Sequence, residues 1–151
     1  MHITARVDYA VRALVELAAA APEPRKADAV AKAQHVPFKF LETVLSDLRR
    51  GELVRSRRGP DGGYWLARPA EQISVADVIR TVEGPLASVR GERPEDVTYD
   101  APAERLVDVW IAVRVNLRAV LENVSVADIA SGALPEFVST LIADPGAWKR
   151  R

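Results

Sequence analysis

The sequence predicts a mostly α-helical chain that carries one small β-hairpin. Three observations predict it. Across residues 1–50, apolar side chains recur at three- and four-residue steps and are punctuated by prolines, as in a series of short amphipathic helices. Two β-prone runs then flank a Gly/Pro/Asp loop. Further on, a stretch at 103–123 keeps a heptad-like apolar seam.

The first helix is expected over 4–21, where Ile3, Val7, Val11 (with Ala10), Leu14 and Ala18 share one face and Pro22 and Pro24 close it. A short Ala-rich helix follows at 27–33, then a turn at Gln34-His35-Val36-Pro37. Pro37 suits a first helical position, where its missing N–H would have been unpaired anyway. Phe38, Leu41, Val44, Leu45 and Leu48 mark the third helix, which ends near Gly51, a residue suited by positive φ to a helix C-terminus. Two short helices joined by a tight turn, the second of them basic, read as helix-turn-helix. The runs Leu53-Val54-Arg55-Ser56-Arg57 and Tyr64-Trp65-Leu66-Ala67, around Gly59-Pro60-Asp61-Gly62-Gly63, read as a hairpin. A hairpin in that place is the wing of a winged helix.

Ser74 and Asp77 open another short helix with a variant of the capping box, and Ser125-Val126-Ala127-Asp128-Ile129 repeats the same chemistry. Residues 84–102 are charged and proline-punctuated, a loop longer than most. The long helix at 103–123 would span about 30 Å at ~1.5 Å per residue. Leu106, Trp110, Val113, Leu117, Val120 and Val124 follow alternating steps of four and three, and Val107, Val109, Ile111 and Leu121 widen the apolar surface. Either this helix packs inside its own chain or it pairs with a second copy; its breadth favours a homodimer. The resulting division is a winged helix-turn-helix domain at 1–84, a linker at 85–101 and a dimerisation helix with a C-terminal segment at 102–151.

Composition limits the chemistry. The chain has 151 residues, 48% of them hydrophobic, 21 Lys+Arg, 21 Asp+Glu and no cysteine. That length fits one domain or a small domain with an extension. Without cysteine there is no disulfide, thiolate nucleophile, Cys-type zinc site or iron–sulfur cluster held by the chain's own thiolates. No apolar run approaches the roughly 18 residues of a membrane span, and no basic-then-apolar leader opens the chain, so the expectation is a cytoplasmic protein with no membrane partner. No Gly-x-Ser-x-Gly elbow, Gly-x-x-x-x-Gly-Lys loop or His-Glu-x-x-His occurs, and an enzyme is not expected.

The zero net charge conceals an asymmetry. Residues 1–69 hold twelve Lys/Arg against eight Asp/Glu, while 70–151 hold nine against thirteen. Arg49, Arg50, Arg55, Arg57 and Arg58 crowd into ten residues, opposed by Glu52. Such a cluster is either a solvated arginine-rich turn or the electrostatic footprint of a nucleic-acid module.

Several blocks carry a family resemblance: Tyr9-Ala10-Val11-Arg12-Ala13-Leu14; Pro37-Phe38-Lys39-Phe40-Leu41-Glu42 with Leu48-Arg49-Arg50; and Ser56-Arg57-Arg58-Gly59-Pro60-Asp61-Gly62-Gly63-Tyr64-Trp65-Leu66. With Ile73-Ser74, Asp77-Val78-Ile79 and Val82-Glu83-Gly84-Pro85, they resemble the Rrf2 family of bacterial winged-helix transcription regulators, most strongly over residues 1–85. The resemblance implies a repressor that binds double-stranded DNA as a homodimer on a pseudo-palindromic operator. The helix from Pro37 would enter the major groove, with Lys39 and Glu42 reading base edges and Thr43 beside them. Phe40 would be core or a van der Waals contact. Arg58 would reach the minor groove; Arg49, Arg50, Arg55 and Arg57 would hold phosphates. Gly59, Gly62 and Gly63 would permit tight turning and close backbone approach, as in any hairpin loop.

The chain departs from the family where many members sense redox state through cysteines. The segment Leu86-Ala87-Ser88-Val89-Arg90-Gly91-Glu92-Arg93 contains none. Asp8 stands where some relatives use an acidic cluster ligand, but Asp8 with the separated His2 and His35 does not make a metal site. No iron–sulfur cluster and no other cofactor is expected. A small-molecule or protein effector, at Tyr9, Trp110 or the 84–102 segment, stays open, as does plain core packing for Trp110. The alternative function is a winged-helix protein-interaction module that no longer reads DNA, although such a module would be expected to lose the arginine cluster.

Overall fold

In the computed structural model, which describes residues 1–150, seven α-helices and one antiparallel hairpin are built around the first helix. That helix, α1 (Ala5–Ala20), starts at Thr4, whose side chain accepts from the Val7 N–H at 3.2 Å. Val7, Ala10, Ala13, Leu14 and Leu17 are buried. The two alanines on this face keep the contact surface low, and α1 touches α2 (Ala27–Gln34), α3 (Phe38–Arg50), α4 (Val75–Val82) and α6 (Val126–Ser131). Ile3, expected on the same face, lies before the helix and is exposed.

Between α2 and α3 the chain reverses at His35, in the left-handed conformation at φ 52, while the Val36 N–H returns to the Ala31 carbonyl at 2.9 Å. Pro37 is the residue capping α3 rather than its first helical residue. Leu41, Val44, Leu45 and Leu48 turn into the core. At the far end of α3 the structure corrects the reason for glycine. Gly51 has φ −83, and the left-handed residue is its neighbour Glu52, at φ 59. Gly51 is there for space, because a Cβ would overlap the Thr81 methyl of α4.

The wing consists of β1 (Val54–Arg57) and β2 (Gly63–Leu66), with Val54 opposite Leu66 and Arg57 opposite Gly63. A third backbone segment joins it. Arg25, in the α1–α2 connection, exchanges both backbone hydrogen bonds with Tyr64, at 2.9 and 2.8 Å. Nothing local in the sequence announces this long-range bridge, and it ties the wing to the helical body.

The long helix is shorter than its sequence pattern suggested. α5 runs Leu106–Leu121, 16 residues or about 24 Å. Residues 103–105 form turns, because the two prolines and the charged run before them give no helix start. None of its side chains is buried. Beyond it the two Ser/Asp motifs meet. Both form complete capping boxes, and they pair as an antiparallel bridge at Ser74 and Ser125: Val75 N–H to Val124 carbonyl at 2.9 Å, Val126 N–H to Ile73 carbonyl at 2.8 Å. The repeated sequence is thus a pair of caps laid side by side, which brings α6 onto α1. α7 (Glu136–Ile142) follows with no buried residue.

Candidate nucleic-acid interface

The amphipathic pattern of α3 sorts its residues by function. Leu41, Val44, Leu45 and Leu48 are in the core, while Phe38, expected on the same face, stands at the helix start and is 45% exposed. Pro37, Lys39, Phe40, Glu42 and Thr43 are exposed together at this N-terminal end. Phe40 is 65% exposed, so it is not a core residue, and of its two earlier readings only a surface contact remains. The Thr43 hydroxyl donates back to the Lys39 carbonyl at 3.3 Å, a bond between neighbouring turns, and both residues are exposed.

The arginines differ in what already engages them. Asp47, 6% exposed and buried on the inner side of α3, forms ion pairs with both Arg50 and Arg6. Burying a carboxylate is unfavourable unless it is hydrogen-bonded, and two guanidinium donors satisfy that demand. Part of Arg50 is therefore committed to the fold. Arg49 donates to the Ser56 hydroxyl of β1 at 3.4 Å, and Arg57 donates to the Asp61 carbonyl at 3.2 Å across the wing loop. Arg55 and Arg58 are exposed and have no side-chain hydrogen bond or ion pair among the described residues. An open cleft of about 670 Å³ between the end of α3 and the hairpin is lined by Arg49, Arg55 and Arg68, with Glu52 as its acidic member. Arg68 was not singled out in the sequence, where it stands outside the arginine cluster.

The wing glycines are there for different reasons. Gly59 is at the exposed tip, and its carbonyl accepts from the Lys26 ammonium at 2.7 Å. Gly62 and Gly63 are buried; a Cβ on Gly62 would overlap the Arg57 carbonyl, and one on Gly63 would stand 2.7 Å from the Arg25 carbonyl oxygen. Lys26 and Arg25, both outside the predicted set, thus fix the wing from below.

Of the seam residues, Leu106, Trp110, Leu117 and Val120 are half-buried and Val113 is exposed. Val113, Leu117 and Val120 face an apolar groove of about 540 Å³ that also includes Met1, Ile3 and Val109, whereas Leu106 and Trp110 do not line it. Val124 leaves the seam: it follows α5, is buried inside the protomer, and holds α4 through its carbonyl. Trp110 donates to the Tyr99 hydroxyl at 3.1 Å and edges a cavity of about 310 Å³ against Val7, Ile79 and Leu86.

Donors for a metal are sparse. Among the described residues no three His, Asp or Glu side chains stand close enough to hold an ion. Asp8 is paired with Arg12 at 3.0 Å, and His2 and His35 lie apart. Also among the described residues, no helix is long and apolar enough to cross a membrane.

Comparison with known proteins identifies the family and agrees with the fold. The family described as "Rrf2: Iron-dependent Transcriptional regulator" matches residues 3–132. The chain is 50% identical over 145 residues to an HTH-type transcriptional regulator of Mycobacterium tuberculosis, covering 95% of this chain and 90% of the relative. It is 33% identical to the HTH-type transcriptional regulator CymR of Bacillus subtilis over 132 residues, 87% of this chain and 91% of that one. The solved structure of B. subtilis CymR, described as the global cysteine regulator of that organism, superposes with TM-score 0.74 at 31% identity, covering 87% and 97% of the two chains. T. potens IscR superposes with TM-score 0.71 at 29% identity, covering 88% of each. The family description implies iron; the donor set here does not fit a cysteine-ligated cluster, since the chain has no cysteine to supply.

Proposed function

The chain belongs to the Rrf2 family of transcriptional regulators, and on that premise we propose that it is a cytoplasmic repressor that reads a pseudo-palindromic operator as a homodimer. The observation that carries this reading is the exposed N-terminal face of α3, set beside an arginine-bearing wing whose arginines 55 and 58 have no internal partner among the described residues. Lys39 donates to guanine O6 and N7, and Glu42 accepts from cytosine N4, the pairings that groove chemistry favours. Thr43 and Phe40 contact the same groove wall, and Pro37 sets the entry of the helix. Arg58 enters the minor groove, while Arg49, Arg50, Arg55 and Arg57 hold phosphates. Gly59, at the exposed tip, brings the wing backbone close to the duplex. Gly62 and Gly63, expected beside it, are buried against the Arg57 and Arg25 backbone and shape the hairpin instead of touching DNA.

Leu106, Trp110, Val113, Leu117 and Val120 form the dimer seam. A helix of this composition with no buried residue leaves apolar surface that a second α5 would cover. Two recognition helices then address half-sites about 34–36 Å apart, or a multiple of it. The regulator works without a cysteine-ligated iron–sulfur cluster, because the chain has no thiolate to hold one.

Fluorescence anisotropy with fragments of the protein's own promoter, titrated across salt, tests the reading. If four arginines per protomer neutralise phosphates, eight in a dimer, log K should fall with log salt at a slope of about −7. Absence of saturable binding to any genomic fragment at low salt would reject operator recognition and favour the protein-interaction module instead.

A further inference from the structure

Residues 70–151 carry a surplus of acid, nine Lys/Arg against thirteen Asp/Glu, yet four guanidinium groups converge at one place within them. Arg80 at the end of α4, Arg93 in the following segment, and Arg114 and Arg118 one turn apart on α5 line a pocket of about 530 Å³. Two carboxylates are in reach. Glu95, in the lining, pairs with Arg114, and Glu122 is shared by Arg80 and Arg118. Backbone and Arg114 hydrogen bonds hold Glu95 below the usual carboxylate range, and Arg80 and Arg118 do the same for Glu122, so both count as charged. The cluster keeps two positive charges in excess.

Its donors are also incompletely used. The Nε of Arg114 is fully buried and has no acceptor among the described residues, an uncommon state for a buried polar atom. Arg93 has no side-chain hydrogen bond or ion pair among the described residues. Leu86, Ala87 and Pro85 provide an apolar wall.

We propose that this pocket binds a small organic oxyanion carrying at least two negative charges, and that the ligand sets the angle of α5. Guanidinium forks pair bidentately with carboxylate and phosphate oxygens, the apolar wall takes a carbon skeleton, and the volume suits a metabolite. The lining joins α4 and the 85–95 segment to α5, and α5 meets the rest of its protomer mainly at α4 and at the 94–96 turn. A ligand held across that joint favours whichever helix angle it binds more tightly. Resting on the homodimer reading, that angle sets the spacing of the recognition helices.

The test is calorimetric titration of the full chain with pyrophosphate and, separately, with citrate, at constant ionic strength and without DNA. One saturable site per chain is expected, weakened about tenfold or more in Arg93→Gln and in Arg118→Gln, and unchanged in Arg105→Gln, which lies outside the pocket. The tighter of the two probes identifies the anion as phosphate or carboxylate. No saturable site for either probe, or equal binding by wild type and Arg93→Gln, overturns the proposal. In a second measurement the saturating probe should change promoter-fragment affinity by about threefold or more in wild type and not in Arg93→Gln. Anion binding with unaltered DNA affinity overturns the coupling. Because the first titration contains no DNA, its failure is distinct from failure of operator binding.

Discussion

Replacing Gly63 with alanine tests whether the wing is held from below by the α1–α2 connection. Gly63 has φ +144, a region open essentially to glycine, and alanine there is strained by roughly 1–3 kcal/mol. The new Cβ would also stand 2.7 Å from the Arg25 carbonyl oxygen and 2.8 Å from its carbon. Ordinary contact begins near 3.4 Å, so the backbones must part by several tenths of an ångström. The two Arg25–Tyr64 hydrogen bonds, at 2.8 and 2.9 Å, lie directly beside this contact and would open to the limit of hydrogen bonding. At about 1 kcal/mol net each, their loss adds roughly 2 kcal/mol, for a total of roughly 3–5 kcal/mol. Gly59→Ala is the control. It has φ +106 but nothing within 4 Å of its Cβ, and so incurs strain alone. Urea unfolding followed by circular dichroism should therefore place Gly63→Ala about 2 kcal/mol below Gly59→Ala with an unchanged m-value. Two variants destabilised equally would refute the steric argument and leave conformational strain as the whole effect.

Lys39→Ala and Glu42→Ala should each lower the ratio of specific to non-specific DNA affinity by about 5- to 150-fold for each half-site, read by competition between single half-site duplex and unrelated duplex, because each base contact is worth roughly 1–3 kcal/mol of discrimination. Arg55→Ala should weaken operator and unrelated DNA alike and flatten the salt slope by about 2 per dimer, one phosphate contact from each protomer. Val113→Glu should sediment as a monomer with an unchanged far-ultraviolet spectrum, since Val113 is 42% exposed in the protomer; a dimer that survives the change would remove it from the seam. Glu122 is held below its usual range by Arg80 first and then Arg118, so its contribution to stability is present above about pH 4.5 and is lost as pH falls through the lower folded value. Stability of Glu122→Gln should accordingly vary less than that of wild type across that acid window, as measured by denaturant midpoints.

Periodicity reveals a helix when its apolar face is continuous and its ends carry their own signals, which is why α1, α3 and the Ser74 cap were legible. The signals failed where one residue satisfies two constraints. Gly51 follows a helix, as a terminating glycine should, but it is kept small by Thr81, thirty positions away, and Glu52 takes the left-handed conformation. The start of α5 was misplaced because apolar spacing does not distinguish a helical turn from the irregular turns at 103–105. Val124 continued the four-and-three rhythm but lies past the helix, where its carbonyl joins the two caps. The side-by-side capping boxes were visible as a repeated string. Their pairing was not, since no local pattern encodes a bridge between residues 74 and 125.

The candidate site shows a different gap between sequence and structure, because counting arginines does not show how many are available. Within the cluster, Arg50 shares Asp47 with Arg6, and Arg57 is turned back onto the Asp61 carbonyl. Substituting Arg50 changes DNA contact and the satisfaction of a buried carboxylate together. A fall in operator affinity for Arg50→Ala therefore acquires meaning only against Asp47→Ala, which removes the same ion pair while leaving the guanidinium. Arg55 and Arg58 have no such internal partner among the described residues, so their alanine variants isolate the DNA term. Arg68, which belongs to the cleft but pairs with Asp77 at 3.4 Å, falls between the two cases. The residues that best measure recognition are thus the ones the fold does not use, and that distinction depends on a carboxylate, Asp47, that carries no sign of its burial in the sequence.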